Sequence, residues 1–308
     1  MVMDLPNLFS AGSQPEEPQK IIGILLSRTK VQALLLSIGT QKLELLSQSQ
    51  IVTYADDQNC LIQTDESLQQ LGPESEQVTK VVFGLDHDWV QEGDIVPEHK
   101  ELLGSLTKGL DLEPIGFIDT AEALYQHYLA QNSTLSTVFV IVGATALTIS
   151  YVSQGKLVGI EQVGRSDSID ADLHEGLARF SAQVADQQFY LPSKLYLASF
   201  DLIDSEIEEI HQQLLDFDWT GSARFLQTPT MTVLSDDEYT AVMAHEAARA
   251  GAIATGNYTA AAIVPEAAVP DEVEAAQNQE SFGFSNLGEE AAETADEETA
   301  VPQANLEA

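Results

Sequence analysis

The chain has 308 residues, 44% hydrophobic and 7% aromatic, enough apolar material for one large packed domain or two modest ones. Its 49 Asp and Glu against 13 Lys and Arg give a formal charge of −36, which argues against nucleic acid and bare anionic lipid as partners. A single cysteine, Cys60, has no internal disulfide partner, and the apolar runs all fall short of the roughly 20 residues that span a bilayer, so a reducing cytoplasmic setting is expected.

Residues 1–20 are rich in Pro, Ser and Glu and are expected to form a flexible lead-in. Ordered elements follow from residue 21. The run "KIIGILLSRTKVQALLLSIGTQKLELLSQSQIV" predicts three short strands separated by "SRTK" and "IGTQK". A polar helical stretch through "DESLQQLGPESEQ" leads to a buried-looking strand, "KVVFGL", and an amphipathic helix over about 98–110. The strand "PIGFID" and the helix "AEALYQHYLAQ" complete a first lobe, assigned to 21–135.

The second lobe, 136–260, opens on another meander, "FVIVGATALTISYVSQGKLVGIEQVGRS", with a break at Gly143-Ala144 and a turn at Ser153-Gln154-Gly155-Lys156. Next come a helix "SIDADLHEGLARFSAQVA", a strand "SKLYLAS", a helix "SEIEEIHQQLLDF", a short strand near "TMTVL" and a last helix, "DEYTAVMAHEAARAGAIA". Residues 261–308 are Ala-, Glu-, Asp- and Pro-rich, and from Val264 onward carry no Lys or Arg, which predicts a disordered acidic tail. A short aromatic island, "ESFGFSNLG", surrounds Phe282 and Phe284.

Each half is thus a meander followed by alternating helices and strands, which predicts an α/β protein with two mixed sheets flanked by helices. Together with "VVFGLDHDW", "LEPIGFIDTAEALYQHYL" and "VSQGKLVGIEQVGRSDSIDADLHEGLARF", this order resembles the actin-like ATPase superfamily, and within it PilM-like and FtsA-like proteins, over about residues 20–255. The resemblance implies a duplicated ribonuclease-H-like fold. The short connections leave no room for large inserted subdomains.

In that family two hairpins carry Asp-x-Gly turns for a hydrated magnesium ion and phosphate, and a Gly-Gly loop takes the adenosine. This chain departs from the pattern at all three loops. Leu25 and Ser27 replace the acid and glycine of the first turn, Ile141 replaces the acid of the second although Gly143 stays, and Ser199-Phe200 stands where the glycine pair belongs. No Asp or Glu lies in 21–43 or 133–160, so shifting the alignment does not restore the hairpin acids. The resemblance therefore implies a degenerate nucleotide site, with no cofactor, metal or catalytic residue expected. The expected function is a non-hydrolysing scaffold or adaptor that binds protein partners at the cytoplasmic face, a short peptide of a membrane protein among them, without inserting into the membrane itself. Pilus assembly and cell division are the settings the family suggests.

The alternative is a divergent nucleotide-dependent ATPase or phosphotransferase whose acids come from Asp119, Asp167 and Asp170, although Asp119 also fits as the N-cap of its helix. Arg28 and Lys30 are read as solvated charges on a hairpin tip, with a metal-free phosphate seat as the sharper option. His174 and His245 lack the second histidine of a zinc-protease helix and are read as surface positions, and no Gly-x-Ser-x-Gly elbow is present.

Overall fold

In a computed structural model of the chain, residues 18–39, 42–183, 190–222 and 225–256 are described; residues 1–17 of the N-terminal lead-in, the acidic tail and the Phe282/Phe284 island lie outside them, whereas Gln19 and Lys20, expected in the lead-in, already belong to the first strand. The first half consists of β1 (Gln19–Leu26), β2 (Lys30–Ile38), β3 (Leu43–Gln48), α1 (Asp57–Gln70), β4 (Lys80–Leu85), α2 (Pro97–Gly109), β5 (Glu113–Asp119) and α3 (Thr120–Gln131). The second half repeats it as β6 (Thr137–Val142), β7 (Ala146–Ser153), β8 (Lys156–Gly164), α4 (Ile169–Gln183), β9 (Lys194–Ala198), α5 (Asp204–Leu215), β10 (Thr230–Val233) and α6 (Asp236–Ala254).

The two sheets have the same order, β3-β2-β1-β4-β5 and β8-β7-β6-β9-β10, with the two-residue strand Val52–Thr53 added beside β2. In each, an antiparallel meander is followed by two strands parallel to the first. The parallel strands are buried on both faces, which is why "KIIGILL" and "TVFVIV" read as nearly unbroken apolar runs. Period-two alternation still sorts their side chains. Ile21 and Leu25 of β1 and Phe139 and Ile141 of β6 face the middle of the molecule, whereas Ile22, Ile24 and Leu26 pack outward with α2, and Val138, Val140 and Val142 with α4 and α5.

The resulting layers run from α1 and α2 through the first sheet to α3 and α6, then through the second sheet to α4 and α5. Although α6 closes the second half of the chain, it lies against the first sheet: a Cβ on Gly251 would come within 2.3 Å of Ile21 Cδ1. Its start is fixed by a capping box, with Ser235 Oγ accepting from the Glu238 N–H and the Glu238 carboxylate accepting from the Ser235 N–H. The expected turn at 153–156 is also present. Gln154 and Gly155 take left-handed φ values of 50° and 75°, and a Cβ on Gly155 would strike the Ser133 carbonyl oxygen at 1.9 Å, so only glycine fits.

Candidate functional site

Parallel strands deliver their C-terminal ends to one edge, and here those ends meet the two hairpin turns across a cleft. β4 supplies Asp86, His87 and Asp88, β5 supplies Asp119, and β9 supplies Ser199, Phe200 and Asp201. Facing them are Ser27, Arg28 and Thr29 from the β1–β2 turn and Gly143, Ala144 and Thr145 from the β6–β7 turn.

Asp201 joins the halves. Its Oδ1 accepts from Ser27 Oγ and, at 3.1 Å, from Thr29 Oγ1; its Oδ2 accepts from the Ala144 N–H at 2.8 Å. Ser27 is fully buried, and a Cβ on Gly143 would crowd the Ala146 carbonyl oxygen at 3.1 Å while standing 3.4 Å from Asp201 Oδ2. The hydroxyl and N–H donors that two opposed turns would offer to an external anion are therefore taken by an internal carboxylate. Lys30 Nζ adds a 3.5 Å contact to the Leu202 carbonyl, so it is not a free charge on the tip.

Beneath this bridge the cleft is filled with apolar side chains. Leu25, Ile141 and Phe200 are 1%, 7% and 5% exposed and belong to one core with Tyr239 of α6. Phe200 lies against the Tyr239 ring at 6.3 Å between centroids, and Leu25 passes so close to β4 that a Cβ on Gly84 would sit 2.5 Å from its Cδ2. Ser199 does not open the backbone to a ligand: its Oγ donates to the Val142 carbonyl at 2.6 Å and accepts from the Leu202 N–H at 2.9 Å. The remaining cavity is ≈ 30 Å³. Small-ligand pockets run to roughly 300–1,000 Å³ and one water needs about 10–15 Å³, so the space between the two turns is far below ligand size, while a larger pocket of ≈ 270 Å³ opens beside His87 and Asp119.

The remaining acids of the cleft are engaged in different ways. Asp88 accepts from Arg28 Nε at 2.9 Å and Nη2 at 2.6 Å, so Arg28, exposed on the hairpin tip as expected, is also ion-paired there. The hydrogen bond and charge of Asp88 raise the Arg28 pKa. Asp119 caps α3 as expected, accepting from the Ala121 N–H, and its other oxygen lies 2.6 Å from His87 Nδ1, a pairing the sequence did not suggest. Burial alone would lower the His87 pKa, but the Asp119 hydrogen bond and charge outweigh it and raise it. Its proton is held more tightly folded than unfolded, so this pair contributes fully below about pH 6.5 and fades as pH rises through the raised value.

Asp86 has the opposite energetics from a paired acid. Burial first, then the charges of Asp201, Asp88 and Asp119, push its carboxyl well above the usual range. The native state therefore favours its protonated form and loses stability as pH rises through the carboxylate range. Replacing it by Asn is expected to raise Tm at about pH 8 and to raise it much less at about pH 4, where the acid is neutral in the folded state and only about half ionised in the unfolded one. Thermal melts at the two pH values check this, and an equal shift at both would contradict it.

Asp167 and Asp170 are not brought to the cleft. Both are exposed before and within the first turn of α4, where the buried acid is instead Asp172, accepting from the Ser166 N–H and Oγ. The acids that do face the cleft, Asp86, Asp88 and Asp201, were missed by the sequence reading. Their one signal was position, immediately or shortly after a buried strand. Cys60 is buried beside Thr64, and burial pushes its thiol up to about 11, so it offers no ready thiolate.

Two identically ordered sheets, crossed by α3 and α6 and closed over a cleft at their strand ends, define the actin-like ATPase fold, and the chain has it. The PilM-PilN type IV pilus biogenesis complex matches with a TM-score of 0.53 at 11% identity, over 78% of this chain and 98% of that one. The ethanolamine utilization protein EutJ from Carboxydothermus hydrogenoformans matches with a TM-score of 0.45 at 12% identity, over 76% of this chain and 91% of that one. A Bacteroides thetaiotaomicron protein with an actin-like ATPase fold and unknown function gives 0.45 at 13%, over 73% and 95%. At these identities the likeness is one of fold. No protein-family model and no curated protein matches the chain.

Proposed function

We propose that the chain is a non-hydrolysing actin-like scaffold or adaptor that binds protein partners at the cytoplasmic face, in a PilM-like role within pilus-assembly or other cell-envelope machinery. The observation that carries this reading is the Asp201 carboxylate, seated between the two hairpin turns with Ser27, Thr29 and Ala144 as its donors. A ligand shifts a conformational equilibrium only through unequal affinity for its states, so a cleft closed by its own side chains holds the lobes in one relation. A fixed body suits the holding of a partner better than a cycle of opening and closing. The similar complex contains PilM together with PilN, which supports a protein as the kind of partner. No helix among the described residues is long and apolar enough to cross a membrane, so a place at the membrane would come through that partner.

One observation favours the second reading, a divergent ATPase or phosphotransferase: Asp86, Asp88 and Asp119 stand together at strand ends, and Asp86 is held protonated above its usual range. Phosphate release from Mg-ATP by the purified chain separates the two. The scaffold reading expects release at background and no change in Asp119→Asn. Steady release abolished by that substitution would install the enzyme reading instead.

A further inference from the structure

Away from the cleft, α3 and α6 pack together in the middle layer and bring His127, His245 and Glu246 to one place. One donor atom from each residue lies within 4.8 Å of the other two, and among the described residues no other group of three His, Cys, Asp or Glu side chains converges in this way. We propose that these three side chains form a binding site for a divalent transition-metal ion of the zinc type, with two imidazoles and one carboxylate as ligands and an open position toward solvent.

The distances suit that ion. His127 Nδ1 and His245 Nδ1 lie 3.4 Å and 3.0 Å from Glu246 Oε1. Two ligands on tetrahedral zinc with bonds of about 2.0–2.1 Å stand about 3.3–3.4 Å apart, so two of the three edges are already near ligand spacing. The third closes by turning the imidazoles, whose rings meet edge-on at 5.1 Å and 79°. Meanwhile His127 Nδ1 is buried without a hydrogen-bond partner, a lone polar atom that a metal would satisfy.

The surrounding groups orient the ligands. Arg249 Nε donates to Glu246 Oε2 at 2.6 Å, which fixes the carboxylate and leaves Oε1 toward the histidines. The side-chain amide of Gln131 lies 2.8 Å from His127 Nε2. With the amide oxygen turned inward, Nε2–H donates to it and Nδ1 presents its lone pair to the site, the usual second partner of a ligating imidazole. The nearby guanidinium disfavours a hard cation held by charge alone, whereas the imidazoles favour zinc, cobalt or nickel.

Access is from the surface. His127 and His245 line a pocket of ≈ 420 Å³ between α6 and β3, together with Tyr128, Glu44 and Glu238. The two carboxylates and the net charge of −36 draw cations toward it. His245, read from the sequence as a surface position, is partly exposed and also contacts Glu246, and His174 is exposed as expected.

The test is a zinc titration of the chelator-treated full chain against a chromogenic chelator, with excess magnesium and moderate salt to mask scattered surface acids. One equivalent of zinc is expected, with affinity reduced roughly tenfold or more in His127→Gln and in His245→Gln. Cobalt should give the visible d–d bands of a four- or five-coordinate site in the wild type and not in either variant. His245 is partly exposed, so its variant should keep the wild-type circular dichroism and decides the matter alone if His127→Gln fails to fold. No stoichiometric zinc in the wild type, or binding undiminished in His245→Gln, overturns the proposal.

Discussion

Leu25→Asp combined with Ile141→Asp is expected to lower stability by about 4 kcal/mol or more and to produce no ATPase activity. Each change removes an apolar side chain that is nearly fully buried in the middle core, worth roughly 1.5–3 kcal/mol, and puts a carboxyl in its place. The surroundings make this worse, because Asp86 and Asp201 already lie at the same cleft and its cation, Arg28, is engaged by Asp88. The new acids would have raised pKa values, so the loss should grow as pH rises through the carboxylate range. Urea melts at about pH 5 and pH 8, with and without Mg-ATP, measure it. A double variant stabilised by Mg-ATP would show that the cleft is open and shaped for nucleotide, and the scaffold reading would narrow to a protein that binds without hydrolysing.

Asp201→Ala is the second large effect. It strips the acceptor from Ser27 Oγ, Thr29 Oγ1 and the Ala144 N–H at once. An unsatisfied buried donor costs about 1–3 kcal/mol, and of the three only Ser27 is fully buried, so a net loss of roughly 2–3 kcal/mol is expected, partly offset because Asp86 loses a repelling neighbour. Since those bonds tie one half to the other, amide exchange at Ala144 should speed up by more than global destabilisation explains. Asp201→Asn keeps one carbonyl acceptor and should fall between. Added formate, a small carboxylate, should recover part of the loss in Asp201→Ala but not in Asp201→Asn. An unchanged denaturation midpoint in Asp201→Ala would contradict the bridge.

Much of the fold could be read from local pattern because its determinants are local. Runs such as "KIIGILL" and "TVFVIV", closed by the short turns Ser27-Arg28-Thr29 and Gly143-Ala144-Thr145, have few alternatives to a buried strand, and Gln154-Gly155 specifies its own hairpin. The N-cap role of Asp119 was legible for the same reason, as it rests on an N–H two residues away. What decides the cleft is remote in sequence. Ser27 and Asp201 are 174 residues apart and Arg28 and Asp88 are 60 apart, and among 49 acids nothing local marks the few that converge. The absence of hairpin acids was therefore visible while Asp201, the acid that occupies their place between the turns, was not. The docking of α6 on the first sheet was hidden likewise, since an apolar stripe shows that a helix is buried without showing on which sheet.

Isothermal titration of Mg-ATP into the full-length protein, run beside Asp201→Ala, is the most direct test of a cleft closed by its own side chains. The wild type should give no binding heat and no change in Tm at millimolar nucleotide, because the turn donors are occupied by Asp201 and Phe200 and its neighbours leave ≈ 30 Å³. Saturable binding to the wild type with micromolar affinity, accompanied by a raised Tm, would contradict it.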